Sequence, residues 1–485
     1  MAFNSVDFLF IFLPIVLALN TVIKKEWRNP LLLAASLVFY ALGEKYYVIL
    51  LVASALMNYG FARMIGRNGG KPRLARRIIT VAIIVNVGML AFFKYTAFIV
   101  ANLNAVLPLI EVSPILIKPL HIPIGISFFT FQTLSYLVDV YRRDSRANDN
   151  PLETSLYITM FPQIVSGPIM RYDVIAGQLA RRQITLDGFT QGIRRFIIGL
   201  GKKMIIATAL GNVANQVFAI APDLLSCEVA WLGVICYTFQ LFFDFSGYTD
   251  MAIGVAGMLG FTLTENFNYP YISQSMREFW RRWHITLSAW FRDYVYIPLG
   301  GNRQSKANTF MNIMIVFILT GLWHGANWTF IVWGLWHGLF QLVERTRLGD
   351  IINRSARPLR HGYALLVVMI GWVFFRSADI GGAFTYLKSM AGFNGLHNGS
   401  YFPAMYLTGE VIFALAAALL FSTPIAPWLE NRIREGISRI GNSALGAVAK
   451  HGFAIGGLAL LLSIFLYSVM AMAGGTYSPF IYSRF

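Results

Sequence analysis

Residues 266–303 read NFNYPYISQSMREFWRRWHITLSAWFRDYVYIPLGGNR, and TGLWHGANWTF follows at 320–330. Two histidines, His284 and His324, stand there among aromatic and aliphatic neighbours. Arg277, Glu278, Arg281, Arg282, Arg292 and Asp293 crowd around the first. Elsewhere charge is scarce. Asp, Glu, Lys and Arg make up 13% of the 485 residues, against roughly 25% in a soluble domain. A charged, histidine-bearing cluster in so apolar a chain reads as the lining of an active site inside a membrane protein.

The rest of the chain supports that setting. It is 56% hydrophobic, with a mean hydropathy of +0.58, more apolar surface than a soluble core can use. Apolar stretches near the ~20 residues of a membrane helix recur from end to end. An all-α, polytopic membrane protein is therefore expected, because a helix satisfies its own backbone hydrogen bonds in lipid. The net charge of +17 sits in short loops between apolar segments. This fits positive-inside orientation and anionic lipid headgroups rather than nucleic acid. Cys227 and Cys236 form neither a disulfide framework nor a metal spacing.

Basic clusters order the spans. Residues 8–23 are apolar, and Lys24, Lys25 and Arg28 follow them, so they read as a retained helix rather than a cleaved leader. Residues 31–42 and 46–62 suit a hairpin turning near Gly43, and 78–100 and 121–141 suit an outward and a return span. In 155–170, Pro162, Gly167 and Pro168 break an apolar run, which is tolerated at membrane depth only inside protein or a cavity; it reads as re-entrant. A basic surface segment follows through Arg181, Arg182, Arg194, Arg195, Lys202 and Lys203, then an out-and-back pair at 204–221 and 229–261. Residues 262–306 read as interfacial, 309–343 as a hairpin, and 363–375, 408–426 and 452–473 as the last spans. This reading gives about 11–12 transmembrane helices plus re-entrant and interfacial ones. No fixed-period repeat divides the chain, so 1–485 is read as one integral domain.

Each polar group at membrane depth has a functional and a structural reading. His324 lies between Gly321 and Gly325, beside Trp323 and Trp328. It suits a general base near neutral pH, or a structural histidine bonded to a carbonyl. His284, in FWRRWHITLS, suits substrate orientation or action with His324. Alternatively it belongs to an interfacial helix with Trp280 and Trp283 at the headgroups. His337, in WGLWHGLF, reads as a packing histidine ahead of a supporting role. Asp244, Asp250, Gln132, Ser135 and Asp139 suit a polar channel, or interhelical hydrogen bonding. No Gly-x-Ser-x-Gly elbow, Walker loop, His-Glu-x-x-His or His-x4-Asp pattern is present.

The runs FWRRWHITLSAWFRDYVYIPLGGNR and TGLWHGANWTFIVWGLWHG closely resemble the membrane-bound O-acyltransferases, in the bacterial branch that acetylates alginate or cellulose or D-alanylates teichoic acid. IPIGISFFTFQTLSYLVDVYR at 122–142, MFPQIVSGPIMRY at 160–172, QLFFDFSGYTDMAIG at 240–254 and the terminal FIYSRF extend the resemblance over almost the whole chain. The resemblance implies a funnel-shaped fold, thin at its centre, where donor and acceptor meet the histidine from opposite sides. It makes His324 the family's invariant histidine and His284 its second signature histidine.

The expected function is acetyl transfer from a cytoplasmic thioester, acetyl-CoA, across the inner membrane to an exported polysaccharide. Alginate is the first acceptor and cellulose the next. His324 is the base, Arg281, Arg282 and Arg292 meet the donor's phosphates, and Trp323 with Asn327 lines the substrate site. His284 or Asn327 stabilises the oxyanion. No cofactor or metal is expected to stay bound. The expected partners are periplasmic acetyltransferase or relay proteins, polysaccharide synthase and export machinery, and membrane lipids. The alternatives are D-alanyl transfer from a carrier protein and, in a different class, a secondary transporter. The acyl-transfer reading requires that both water phases can reach the ring of His324.

Overall fold

The computed structural model describes residues 2–475 apart from 119, 398, 441 and 442; the FIYSRF tail lies outside the described residues. Among them the regular structure is helical throughout, with no strand. Seven helices are long and apolar enough to cross a membrane: Tyr47–Arg67, Pro72–Ile110, Leu186–Phe218, Cys227–Met258, Lys306–His324, Arg357–Arg376 and Ala444–Ala473. Gly409–Phe421 and Ile425–Arg439, bent by 69°, make an eighth if taken as one span.

The polytopic all-α class agrees with the sequence, but the count is lower than 11–12. The difference lies in short apolar helices. Arg28–Glu44 and Ile126–Arg142 have 17 residues each and Trp328–Val343 has 16. At 1.5 Å per residue they reach about 25 Å, less than the ~30 Å hydrocarbon layer. Phe8–Val22 is short as well. The hairpin expected near Gly43 is formed by Arg28–Glu44 and Tyr47–Arg67, and its turn falls on Lys45, at φ 47°.

Cys227–Met258 runs through the centre. It carries apolar side chains on every face, as a helix surrounded by protein should, and 83% of its apolar window is buried. Leu186–Phe218 packs against it backbone to backbone. A Cβ on Gly199 would stand 2.6 Å from the Gly247 carbonyl oxygen, and one on Gly192 would stand 2.6 Å from that of Gly254. Small residues permit such approach between membrane helices. The close crossing also pairs charges. Lys203 meets Asp244, Lys202 reaches Asp250 at 2.6 Å, and Arg195 reaches Asp250 at 2.8 Å.

Two sequence readings are corrected here. The basic run through Lys202 and Lys203 is not a surface segment ahead of a span. Arg195, Lys202 and Lys203 lie inside one continuous helix, because facing carboxylates neutralise them, whereas Arg181 and Arg194 are exposed. Asp244 and Asp250 join helices rather than line a channel. Ala444–Ala473, by contrast, has 6% of its apolar window buried and stands at the lipid edge.

Residues 151–170 break as expected, into Pro151–Thr159 and Phe161–Ile164, and 154–164 are buried throughout. The break survives because protein supplies its hydrogen bonds. The Tyr157 hydroxyl donates to the Met170 carbonyl at 2.8 Å, and Gln132 Nε2 donates to the Gln163 side-chain oxygen at 3.2 Å. Gln132, Ser135 and Asp139 thus tie Ile126–Arg142 to its neighbours, with Asp139 accepting from the Tyr294 hydroxyl at 2.8 Å.

Candidate active site

Lys306–His324 ends on the histidine itself, and Trp328–Val343 begins four residues later. Glycine lets the two helices close into a tight hairpin. A Cβ on Gly321 would fall 2.3 Å from the Phe330 carbonyl oxygen, and one on Gly334 would fall 2.2 Å from that of Phe317. Asn327 starts the second helix. Its side-chain oxygen accepts from Thr329 N–H at 3.1 Å, and its amide donates to the Ala378 carbonyl at 2.8 Å. Asn327 therefore caps the helix with its oxygen and spends one of its two amide hydrogens on Ala378.

The last turn of a helix leaves carbonyls without partners. Here they are taken by the Pro72–Val106 helix. Lys94 Nζ donates to the carbonyls of Trp323 and, at 3.2 Å, His324, and reaches Ser127 Oγ at 3.3 Å. Tyr95 hydroxyl takes the Leu322 carbonyl. A cation at a helix C-terminus also favours the helix dipole. The sequence reading missed Lys94. Its signal was present, since it is the one charge between residues 78 and 106.

The His324 ring is enclosed by aromatics. Trp333 lies edge-on at 4.9 Å between centroids, Trp323 at 5.0 Å and Phe375 at 5.2 Å. His324 is 2% exposed, so among the described residues the aromatics close over the ring that the sequence reading expected to meet both water phases. A cavity of about 170 Å³ comes within one helical turn of the ring, at Thr320, and is lined also by Trp280, Ser288, Arg292 and Gln341. Lys94, His284 and His337 are the titratable neighbours of His324.

His284 sits at the break between Met276–Arg282 and Ile285–Phe291, fully buried. Trp280 and Trp283 are buried with it, which removes the reading of these tryptophans as headgroup anchors. The His284 ring packs edge-on against Phe245 at 4.8 Å and Trp323 at 6.1 Å. Burial pushes its imidazole down to about 3, so it is neutral at physiological pH. Trp323 therefore stands between the two histidines, 4% exposed, and its indole N–H has no hydrogen-bond partner among the described residues.

His337 packs against Trp333 at 4.9 Å and Trp280 at 5.3 Å, and neither of its ring nitrogens is hydrogen-bonded among the described residues. Gly371 makes room for it, since a Cβ there would lie 2.7 Å from Nε2.

The three arginines differ. Arg282 Nε donates to Glu278 at 2.9 Å, and its Nη1 donates to the Asn268 carbonyl at 3.1 Å. Arg292 holds Asp293 by two bonds, at 2.7 and 3.0 Å. Its carboxylate partner keeps the guanidinium charged, raising its pKa. Arg281 is exposed and has no ion-pair partner among the described residues. Among the described residues no cluster of three or more His, Cys, Asp or Glu side chains is placed to hold a metal ion.

Residues 79–354 match the model of the membrane-bound O-acyltransferase family. Over the full length of both chains the sequence is 40% identical to the probable alginate O-acetylase AlgI of Azotobacter vinelandii and 38% identical to that of Pseudomonas putida. It is 36% identical to the peptidoglycan O-acetyltransferase of Helicobacter pylori, over 81% of this chain and 80% of that one.

Proposed function

The chain belongs to the membrane-bound O-acyltransferase family, and from that premise we propose that it moves acetyl groups from a cytoplasmic thioester, acetyl-CoA, across the inner membrane for O-acetylation of an exported polysaccharide. Alginate is the first acceptor, because full-length relatives carry that name, and cellulose is the next. One observation carries the reading at the level of residues. Two histidines far apart in sequence flank one buried tryptophan, and a buried lysine anchors the chain end that bears His324.

In this reading His324 takes the proton of the acceptor hydroxyl. The hydroxyl oxygen bonds to the thioester carbonyl carbon, the carbon–sulfur bond breaks, and the proton passes on to the departing thiolate. Positioned bases contribute about 10²–10⁴-fold. The indole N–H groups of Trp323 and Trp333, both without a hydrogen-bond partner among the described residues, are candidate donors to the developing oxyanion. Arg281, exposed and without an ion-pair partner among the described residues, is the arginine whose charge is uncommitted, whereas Arg292 lines the cavity itself. Arg282 and Arg292 must exchange their carboxylates to meet donor phosphate. The aromatic wall must move for substrates to enter, and the cavity ending at Thr320 is the donor's path. Periplasmic acetyltransferase or relay proteins then finish the transfer, beside the synthase and export machinery. Family membership sets the transporter alternative aside.

The test is His324→Ala, with polymer acetylation measured at normal membrane levels of the protein. Acetylation should fall at least 100-fold, and undiminished acetylation rejects the reading. Offering acetyl-CoA and an acylated carrier protein as competing donors separates this reading from D-alanyl transfer.

A further inference from the structure

Asn266 lies in the non-helical stretch after the Cys227–Met258 helix and is 1% exposed. Its side-chain oxygen gathers three groups from residues 284–286. Thr286 N–H donates to it at 3.2 Å, the Thr286 hydroxyl donates at 3.0 Å, and His284 Nδ1 lies at 3.1 Å. A backbone N–H can only donate, so the atom it reaches is the amide oxygen. That oxygen has no proton to give. His284 Nδ1 must therefore carry the proton, and in a neutral imidazole the lone pair falls to Nε2. Nε2 is buried and has no hydrogen-bond partner among the described residues.

The main chain fixes the same arrangement. Ile285 N–H donates to the Asn266 carbonyl at 2.9 Å, and Asn268 N–H donates to the Arg282 carbonyl at 2.9 Å. His284 is held between these bonds at φ 43° and ψ 55°, in the left-handed region. A residue with a side chain stays there only where its surroundings impose it.

We propose that Asn266 is a positioning residue for acyl transfer: it holds His284 as the Nδ1–H tautomer, so that the buried Nε2 lone pair is left to accept a hydrogen bond from the incoming hydroxyl. The inference rests on the reading of His324 and His284 as the reacting pair. It adds no covalent step, since the proton still leaves for His324. Its effect is to orient the nucleophile, as partners of a catalytic imidazole commonly do.

The experiment measures acetyl transfer from labelled acetyl-CoA to alginate oligosaccharides, between pH 5 and 9, in membrane vesicles carrying the full chain with a periplasmic extract supplied on the acceptor side. Asn266→Ala should lower kcat about 10–100-fold and leave KM for acetyl-CoA within about twofold. Asn266→Asp keeps the accepting oxygen and should recover most of that loss at high pH. Its carboxylate also favours protonated His284, so the acid limb of kcat should rise by about 2–3 pH units, into the assay range. In the wild type that limb lies below the assay range, because burial holds His284 to about 3. Lys94, His324 and His337, the other titratable groups around the pair, are unchanged in both variants, so a displaced limb reports His284.

Wild-type kcat in a folded Asn266→Ala protein overturns the inference. So does an Asn266→Asp protein with an undisplaced profile, and that measurement decides alone if the alanine variant fails to accumulate. His324→Ala is run beside them. Full activity there defeats the parent reading, whereas an inactive His324→Ala with wild-type behaviour at position 266 defeats this inference alone.

Discussion

Replacing Lys94 with methionine separates holding His324 in place from holding the protein together. The ammonium donates to the carbonyls of Trp323 and His324, and methionine fills nearly the same space without donors. Two buried carbonyls then lose partners, at about 1–3 kcal/mol each. Against this, removing a buried cation returns desolvation free energy of several kcal/mol. The two effects oppose one another, so Lys94→Met should accumulate in the membrane with a Tm within about 5 °C of wild type. Activity has no such compensation. The helix end loses its anchor, and a displacement of about 1 Å at a reacting group lowers rates about 10²-fold. Acetyl transfer from acetyl-CoA, normalised to protein by immunoblot, should therefore drop by about two orders of magnitude. Tyr95→Phe removes a single donor, to Leu322, and should cost only a few-fold. A Lys94→Met protein within threefold of the wild-type rate refutes the anchoring argument.

Asn327→Ala should lose about 1 kcal/mol of stability as a missing helix cap and keep its acetylation rate within about threefold; a 100-fold loss would restore Asn327 to the reaction. Lys203→Met or Asp244→Asn alone should destabilise by about 3–5 kcal/mol, because each strands a buried charge. The double variant should recover most of that in a thermal melt. His284 carries a pH dependence of known sign. Its ordinary value is 6.5 and burial lowers it to about 3, so the unfolded chain takes up the proton first. The stability it contributes is complete above about pH 6.5 and declines as pH falls towards 3, by on the order of 2 kcal/mol at pH 5. The melting temperature of His284→Gln should fall less between pH 7 and 5 than that of wild type.

What the sequence made legible follows local pattern. The apolar spans, the broken 155–170 segment and the glycine hairpin ending in His324 all announce themselves within about 20 residues. What it hid depends on partners distant along the chain. Lys202 and Lys203 looked like a surface run because Asp244 and Asp250, which neutralise them, lie over 40 residues further on. The span count rests on apolar helices of 16 or 17 residues, for which hydropathy alone cannot say whether they face lipid or protein. Asn327 stood in a suggestive motif, and its side-chain oxygen also begins a helix. Asn266 passed unnoticed, since an asparagine acquires meaning only when its oxygen is seen to gather Thr286 and His284.

Ile126–Arg142 is almost wholly enclosed by protein, so its length owes nothing to the lipid around the molecule. Bilayers of different thickness should therefore leave this helix unchanged, since hydrophobic mismatch acts on lipid-facing surface.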